Sequence, residues 1–286
     1  MMKRLLNLLL VLGAVGCGHN DADPETTAIP SQANGPAKEG TSSEPLAVLE
    51  ELGGKTVQNE QGIIVQLDLD NTQCNDDALS HLASLPHLQE LWLDGTEITD
   101  AGLTRLSHLK ELKLLTLNET PITDAGLAQL TVLNQLQGLY LESTQISDAG
   151  LVHLKKLTEL EQLSLIDDPI TDAGLVHLAG LTNLNTLAFG GSAITDAGLV
   201  HLKTLTELQT LRLNNTEITN AGLVHLQSLT KLTRLALGGT QITDAELVSL
   251  IKNLPALEEL YVPSTFITEE AVGEINKILP NCQIHR

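Results

Sequence analysis

Leucine returns along most of the chain with a period of 24 residues. The segment L-x-x-L-x-L occurs at 88–93, again at 112–117, and so on to 257–262, where valine takes the last position. Because its x-L-x-L-x part alternates, each copy predicts a short strand with one buried face. Nine such strand cores are centred from Leu67 to Leu260.

A second motif, I-T-D-A-G-L, follows the strand cores in the same frame. It begins at Ile98, and its variants begin at Ile122, Ile146, Ile170, Ile194, Ile218, Ile242 and, after one inserted residue, Ile267. The Thr or Ser after the isoleucine is a good helix N-cap, and the acid that follows lies at the positive end of the helix dipole. Leu103, Leu106 and Leu109 then recur at a spacing of three. The motif therefore predicts a short helix with one buried side.

Together the two motifs form L-x-x-L-x-L-x-x-T-x-I-T-D-A-G-L, which is similar to the leucine-rich repeat over about residues 64–280. The resemblance implies an α/β fold, a solenoid or horseshoe with a concave parallel sheet and short convex helices. Where the family usually carries Asn, this chain carries Thr72, Thr96, Thr120, Thr144, Asp168, Ser192, Thr216, Thr240 and Thr265. We interpret this column as structural, because hydroxyl and carboxylate oxygens can accept backbone N–H bonds in the turn.

The N-terminal residues predict an export signal. Lys3 and Arg4 precede an apolar run at 5–15, which is too short for a membrane helix, since about 20 residues are needed to span a bilayer. The sequence A-V-G-C at 14–17 resembles the lipobox of bacterial lipoproteins, which implies cleavage before Cys17 and lipidation of its sulfur. The same residues also fit an ordinary signal peptidase site, and cleavage there would release a soluble protein.

These patterns divide the chain into five parts. A signal peptide at 1–16 precedes a lipid-anchored flexible linker at 17–45, whose small, polar and acidic residues cannot bury enough apolar surface to fold. An N-terminal cap at 46–63, the leucine-rich repeats at 64–267 and a C-terminal cap at 268–286 follow, because solenoids need capped ends. We expect the protein in the cell envelope, lipid-anchored to a bacterial membrane and facing the periplasm or the exterior, with soluble secretion as the alternative.

Charge and composition narrow the function. With 16 Lys plus Arg against 36 Asp plus Glu, the formal charge of −20 repels phosphate groups and disfavours nucleic acid as a partner. Aromatic residues make up only 2% of the chain, far fewer than the core of a compact enzyme of this size usually holds. No G-x-S-x-G, H-E-x-x-H or P-loop motif occurs. We therefore expect a non-enzymatic protein with no catalytic residues and no cofactor.

Two columns contain residue types that bind metals. One is the histidine of a copied G-L-V-H-L unit, at His153, His177, His201 and His225. Duplication explains it better than a metal ladder or a pH sensor. The other is the acid at Asp100, Asp124, Asp148, Asp172, Asp196 and Asp244. Helix capping explains it better than calcium, so we expect no metal site.

Cys74 and Cys282 lie eight repeats apart, too far for a disulfide within one molecule.

The open face of the predicted sheet departs most from the repeat. Side chains at the central x of L-x-L point to this concave face, and they are Asp68, Trp92, Thr116, Tyr140, Ser164, Ala188, Arg212, Ala236 and Tyr261. The single Trp and both Tyr of the protein are in this row, and amphipathic aromatic residues are common anchors of binding surfaces. We predict a partner-binding site made of Glu90, Trp92, Asp94, Leu114, Thr116, Tyr140, Glu142, Arg212 and Tyr261.

The predicted partner is a protein or peptide of basic or amphipathic character. Two other functions stay open from the sequence. Aromatic residues that stack on sugar rings fit a surface protein that binds glycans or the cell wall. The I-T-D-A-G-L style also resembles the repeats of eukaryotic F-box ubiquitin-ligase receptors, which implies a substrate adaptor, although the secretory signal argues against a cytosolic role.

Overall fold

The leucine-rich segments form one continuous sheet. The computed structural model describes residues 44–286, and in that range eleven strands follow each other in chain order. They are β1 (Lys55–Gln58), β2 (Ile64–Asp68), β3 (Glu90–Trp92), β4 (Leu114–Thr116), β5 (Gly138–Tyr140), β6 (Gln162–Ser164), β7 (Thr186–Ala188), β8 (Thr210–Arg212), β9 (Arg234–Ala236), β10 (Glu259–Tyr261) and β11 (Gln283–His285). β1 is antiparallel to β2, and all later pairs are parallel. The predicted horseshoe fold is therefore confirmed, with β2–β10 as its nine predicted strands.

Short helices form the other side of the repeats. The α-helices are α1 (Glu44–Glu51), α2 (Asp100–Leu103), α3 (Asp124–Gln129), α4 (Asp148–Leu151), α5 (Asp172–Leu175), α6 (Asp244–Ile251) and α7 (Glu269–Ile278). The 3₁₀ helices are Ala78–Ser84, Thr104–His108, Leu130–Val132, Val152–Lys156, Gly198–Thr204 and Asn220–Leu226. A 3₁₀ helix has three residues per turn, so leucines spaced by three share its buried side. Leu79 and Leu82 of the 3₁₀ helix Ala78–Ser84 are buried in this way.

The export signal lies outside the described residues. This is true of the signal peptide at 1–16, of Cys17 and of most of the linker, so the signal peptide, the tether and lipidation stay predictions. α1 begins at Glu44, inside the last two residues of the predicted linker at 17–45. Within the described part of the chain, no helix has the length and apolar character needed to cross a membrane.

The helix N-caps are confirmed at most of the predicted positions, but the side chain of Thr243, the residue before α6, accepts no N–H bond from its helix. Thr99 Oγ1 accepts the N–H of Ala101 at 3.3 Å, and the equivalent Thr or Ser does the same in five later repeats. The acid after the cap does more than the prediction assigned to it. Asp100 Oδ1 accepts the backbone N–H of Thr123 in the next repeat at 2.9 Å, and Asp100 Oδ2 accepts the Thr123 hydroxyl at 2.6 Å. Helix capping is thus an incomplete explanation of this column.

This carboxylate–hydroxyl pair joins successive repeats along the solenoid. The same two bonds link Asp76–Thr99, Asp124–Ser147, Asp148–Thr171, Asp172–Thr195, Asp196–Thr219 and Asp244–Thr268. The bond also explains the glycine of the motif. A Cβ on Gly126 would lie 2.2 Å from Asp100 Oδ1, so only glycine leaves room for the carboxylate.

The threonine column at the strand ends is structural, as predicted, but most of its hydroxyls donate. Thr96 Oγ1 donates to the carbonyl of Leu93 at 2.6 Å. The equivalent bond occurs at Thr72, Thr120, Thr216, Thr240 and Thr265. Asp168 behaves as the prediction described, because it accepts both the N–H and the hydroxyl of Thr144. The hydroxyls therefore satisfy a carbonyl of their own strand end instead of mainly receiving N–H bonds.

Both ends of the repeat stack are covered. α1 places Leu49 in the core, and β1 pairs with β2. At the other end β11 pairs with β10, and α7 buries Ala271 and Ile275. Cys74 and Cys282 are buried free thiols, in agreement with the prediction that they do not pair. The residue boundaries of the two caps stay predictions.

Candidate concave binding face

Strand register places the predicted concave row in one line. Neighbouring strands pair Asp68 with Trp92, Trp92 with Thr116, and Thr116 with Tyr140. The line continues through Ser164, Ala188, Arg212, Ala236 and Tyr261. The structure thus brings Trp92, Thr116 and Tyr140 together, whereas Arg212 and Tyr261 lie farther along the sheet.

Four carboxylates lie at neighbouring positions of the sheet around Trp92, and we call this group of five residues the Trp92 site. Asp68 is the register partner of Trp92 on β2. Glu90 and Asp94 flank Trp92 along its own chain, two positions away in each direction, and therefore share its face. Asp70 holds the position of Asp94 in the preceding repeat. The indole is partly exposed, so a partner can reach it.

All four carboxylates accept hydrogen bonds from uncharged groups. Asp68 Oδ1 accepts the backbone N–H of Asp70 at 3.1 Å. Asp70 Oδ1 accepts the backbone N–H of Asp94 at 2.8 Å. Glu90 Oε2 accepts Gln66 Nε2 at 2.8 Å. Asp94 accepts both the backbone N–H and Nδ2 of Asn118, at 2.8 and 2.9 Å. Asp94, a predicted binding residue, is therefore also a link between two repeats.

Two acids of the Trp92 site, Asp70 and Glu90, are held in an environment that disfavours their charged form. Burial raises the pKa of Asp70 to about 7, and the neighbouring charges of Asp94 and Asp68 add to the rise. Burial also raises the pKa of Glu90, against the hydrogen bond that it accepts. The ion pair in this group joins Asp68 Oδ2 to Lys55 Nζ at 3.4 Å, and the lysine side chain is largely exposed. Positive charge from outside would therefore stabilise the site.

Tyr140 does not project from the face as the prediction assumed. Its side chain is only 7% exposed. The ring lies against Gly138, where an added Cβ would be 3.5 Å from Tyr140 Cε2. The Tyr140 hydroxyl donates to Gln162 Oε1 on the next strand, and burial raises the pKa of Tyr140 to about 12. Tyr140 thus fills the middle of the sheet and offers a partner little surface.

The neighbours of Tyr140 are packed in the same way. Leu114 and Thr116 are buried, and Thr116 Oγ1 has no hydrogen-bond partner among residues 44–286. Ser164 Oγ donates to Glu142 Oε1 at 2.6 Å. Burial raises the pKa of Glu142, while this hydrogen bond and the charge of Arg212 oppose the rise. Of the predicted site residues, those in the middle repeats form a packed strip between the two ends of the face.

A second polar group lies near the C-terminal end of the sheet, and we call it the Glu259 cluster. Arg234 Nε and Nη2 donate to the two carboxylate oxygens of Glu259 at 2.8 and 2.9 Å. Tyr261 Oη donates to Glu259 Oε2 at 2.9 Å. The ring of Tyr261 stacks on that of His285, with centroids 4.2 Å apart and planes within 8°. Each member of the cluster is therefore in contact with another member.

In the Glu259 cluster the pKa of the carboxylate is shifted in the opposite direction from the pKa values of Asp70 and Glu90 in the Trp92 site. Burial alone would raise the pKa of Glu259, but the hydrogen bonds from Arg234 and Tyr261 outweigh it, and the pKa is lowered. The bond to Glu259 also raises the pKa of Arg234. A two-pronged arginine–carboxylate pair of this kind satisfies its own charges.

Solved structures share this architecture. Internalin C2 from Listeria monocytogenes has 31% sequence identity to this chain and a TM-score of 0.59, and the match covers 72% of this chain and 81% of that chain. The chain belongs to the leucine-rich repeat family. A family model described as the leucine-rich repeat matches residues 84–107, which include β3.

A second internalin from Listeria monocytogenes supports the leucine-rich repeat fold alone. It has 21% identity and a TM-score of 0.52, over 84% of this chain and 88% of that chain. A comparison with curated proteins finds no match.

The helix side of this leucine-rich repeat protein offers less chemistry than the concave face. Among residues 44–286, no group of three or more His, Cys, Asp and Glu is placed to hold a metal. Burial lowers the pKa of His177, and the charge of Lys155 adds to the effect. Beside the histidine column lies a column of exposed valines, at Val152, Val176, Val200 and Val224. Nothing in the structure shows what covers these valines.

The sequence reasoning missed three residues that shape the concave face. Asp70 and Glu259 lie outside the central row, although the repeat period relates Asp70 to the selected Asp94. His285 lies beyond the last L-x-x-L-x-L copy, and only β11 brings it beside Tyr261. The period was therefore a sufficient signal for Asp70 but not for His285.

Proposed function

We propose that this protein is a non-enzymatic scaffold whose concave face binds a protein or peptide, and that the Trp92 site receives a basic side chain of that partner. The observation that carries the proposal is a partly exposed indole with four carboxylates at neighbouring positions of the sheet, of which Asp70 and Glu90 have raised pKa values. A cation placed there would relieve repulsion between like charges. The face of an indole also attracts cations.

The repeat architecture supports a scaffold rather than an enzyme. Stacked repeats create the extended concave surfaces that solenoid proteins use for binding. The Ser, His and Asp residues of the motif columns recur from repeat to repeat, and the Asp column is already committed to bonds between repeats. The setting that we propose is the cell envelope, with the repeats tethered to a lipidated Cys17 by the linker.

Trp92 is the single tryptophan of the protein, so its fluorescence reports directly on the site. The test is a titration of the full-length protein with a peptide rich in lysine and arginine, and with a peptide of the same length in which glutamate replaces the basic residues. We expect the basic peptide alone to change the Trp92 emission. The effect should weaken as salt is raised, because the interacting charges are solvent-accessible.

A matched pair of variants separates the site from aromatic exposure in general. Trp92→Ala removes the anchor, while Phe266→Ala removes an exposed aromatic residue that lies outside the concave row. We expect W92A to weaken binding of a fluorescently labelled basic peptide about 30-fold, which corresponds to about 2 kcal/mol for a central aromatic contact. F266A should bind like the wild type.

Two results would count against the proposal. Equal binding of the basic and acidic peptides would remove the electrostatic argument. Equal affinity of W92A and the wild type, with both folded by circular dichroism, would remove the site. If the protein instead binds immobilised glycans through Trp92 and does not respond to basic peptides, the cell-wall function would be favoured.

A further inference from the structure

The threonine column contains one carboxylate, Asp168, and its surroundings differ from those of the regular positions. Asp168 is only 2% exposed. Its Oδ1 accepts the backbone N–H of Thr144 at 2.8 Å and the Thr144 hydroxyl at 2.9 Å. Its Oδ2 is buried and has no hydrogen-bond partner among residues 44–286. An ionised oxygen in that position costs folding free energy, whereas a protonated one can donate a hydrogen bond.

An acceptor for such a proton is present at the same strand end. At the regular positions the threonine hydroxyl donates to the carbonyl three residues earlier, as Thr96 does to Leu93. The equivalent carbonyl for Asp168 belongs to Leu165. Its side-chain donor is Ser192 Oγ at 3.5 Å, a long contact that Ser192 shares with the carbonyl of Asp168. The Leu165 carbonyl therefore lacks the short bond that the regular repeats form.

The disturbance extends to both neighbouring repeats. Thr144 turns its hydroxyl to Asp168 instead of to a carbonyl of its own strand end. Ser192 turns its hydroxyl back toward Leu165 and Asp168. Thr144 thus bonds the Asp168 carboxyl group, Ser192 bonds the backbone carbonyls of Leu165 and Asp168, and three successive members of the column depart from the regular pattern.

The charges that face Asp168 also favour its neutral form. Burial raises the pKa of Asp168 to about 7, the two bonds from Thr144 oppose the rise, and the negative charges of Asp167 and Glu142 add to it. Asp167 adjoins it in the chain, in a left-handed turn with φ of 60°. Glu142 approaches from the preceding repeat.

We propose that Asp168 is a carboxylic acid in the folded protein under mildly acidic conditions, that its Oδ2–H donates to the Leu165 carbonyl in place of the missing hydroxyl, and that loss of this proton loosens the central repeats. The folded chain keeps the proton at pH values where the unfolded chain has released it. Stability from this group is therefore complete below about pH 4 and is lost as the pH rises to about 7. Asp168 makes the middle of the solenoid sensitive to pH.

Asp168→Asn tests the proposal, because the amide has the shape of the protonated acid. Its Oδ1 can accept from Thr144, and its Nδ2 can donate to Leu165 at every pH. We expect the unfolding equilibrium constant of the wild type, relative to that of D168N, to rise by up to about tenfold per pH unit between pH 4 and 7 in urea titrations. The exposed control Glu217→Gln should follow the wild-type profile.

Titration of the Asp168 carboxyl by carbon-13 NMR in the intact protein is an independent readout, and it decides the matter if D168N does not fold. A midpoint near 7 supports the proposal. A midpoint near 4, or parallel stability profiles of the wild type and D168N across this pH range, would overturn it.

Discussion

The Trp92 site and the Glu259 cluster occupy the same sheet, yet the first disfavours the charged form of two carboxylates and the second favours that of its carboxylate. At the Trp92 site, burial raises the pKa of Asp70 and Glu90, and the hydrogen bonds come mainly from uncharged groups. In the Glu259 cluster, Arg234 and Tyr261 bond the carboxylate, and its pKa is lowered. In the first group the nearby charges of Lys55 and Lys113 do not outweigh burial, whereas in the second Arg234 bonds the carboxylate directly.

This difference shows that the repeat determines where a carboxylate lies but not whether a positive side chain pairs with it. β3 and β10 place equivalent residues at equivalent points, so Glu90 and Glu259 occupy the same row. What separates them is the side chain on the adjacent strand, which is Gln66 in one case and Arg234 in the other. At one end of this face, Arg234 neutralises the carboxylate of Glu259. At the other end, a cation from a partner can neutralise the carboxylates of the Trp92 site.

The largest expected effect is one that the two ends should share. Leu91 and Leu235 are fully buried core residues of β3 and β9. We expect Leu91→Ala and Leu235→Ala each to lower the free energy of unfolding by about 2–5 kcal/mol, because each leaves a cavity in the same leucine core. Urea denaturation measures both. A difference of more than about 2 kcal/mol would mean that the two ends differ in packing as well as in charge.

Neutralising one carboxylate at each end should have different effects on the free energy of unfolding. Glu259→Gln removes the counter-charge of Arg234, and we expect it to cost about 1–3 kcal/mol, as for hydrogen bonds to charged groups. Glu90→Gln keeps a hydrogen-bonding side chain beside Gln66 and removes a disfavoured charge, so its cost should lie within about 0.5 kcal/mol. Thermal and urea unfolding at pH 7 compare the two variants. Equal losses would contradict the distinction drawn from the pKa directions.

A smaller effect than that of Glu259→Gln is expected from the pH dependence of Asp70. Its folded-state pKa is raised to about 7, so the folded chain binds a proton that the unfolded chain releases, and the free energy of unfolding falls as the pH rises from about 4 to 7. We expect Asp70→Asn to be more stable than the wild type at pH 7 by about 1 kcal/mol, after allowance for its partial exposure. Glu259 has the opposite sign, because its lowered pKa makes its contribution present above about pH 4 and lost in stronger acid.

Stability curves at pH 4, 5.5 and 7 check this last expectation. The stability gain of D70N should be greatest at pH 7 and absent at pH 4. A gain of the same size at all three values would show that Asp70 acts through packing and not through its charge.

Much of the fold was predictable because its signals are local and repeated. The leucine spacing predicted the strands and their register, and the Thr of I-T-D predicted helix caps such as Thr99. The concave row was predicted for the same reason, since strand alternation alone assigns Trp92 to that face. The site was less predictable. Tyr140 is aligned with Trp92, but Gly138 and Gln162 decide that it is buried.

The sequence by itself determined the repeat period, the concave row of the strands and most of the helix N-caps, because each depends on residues a few places apart in the chain. Only the tertiary structure decided which polar groups meet, because those contacts join residues 22 to 25 positions apart on adjacent repeats. Asp100 was assigned to its own helix and proved also to bond Thr123 in the next repeat. Whether a carboxylate on this surface is satisfied depends on which side chain the adjacent strand presents, and one strand does not specify that choice for the next.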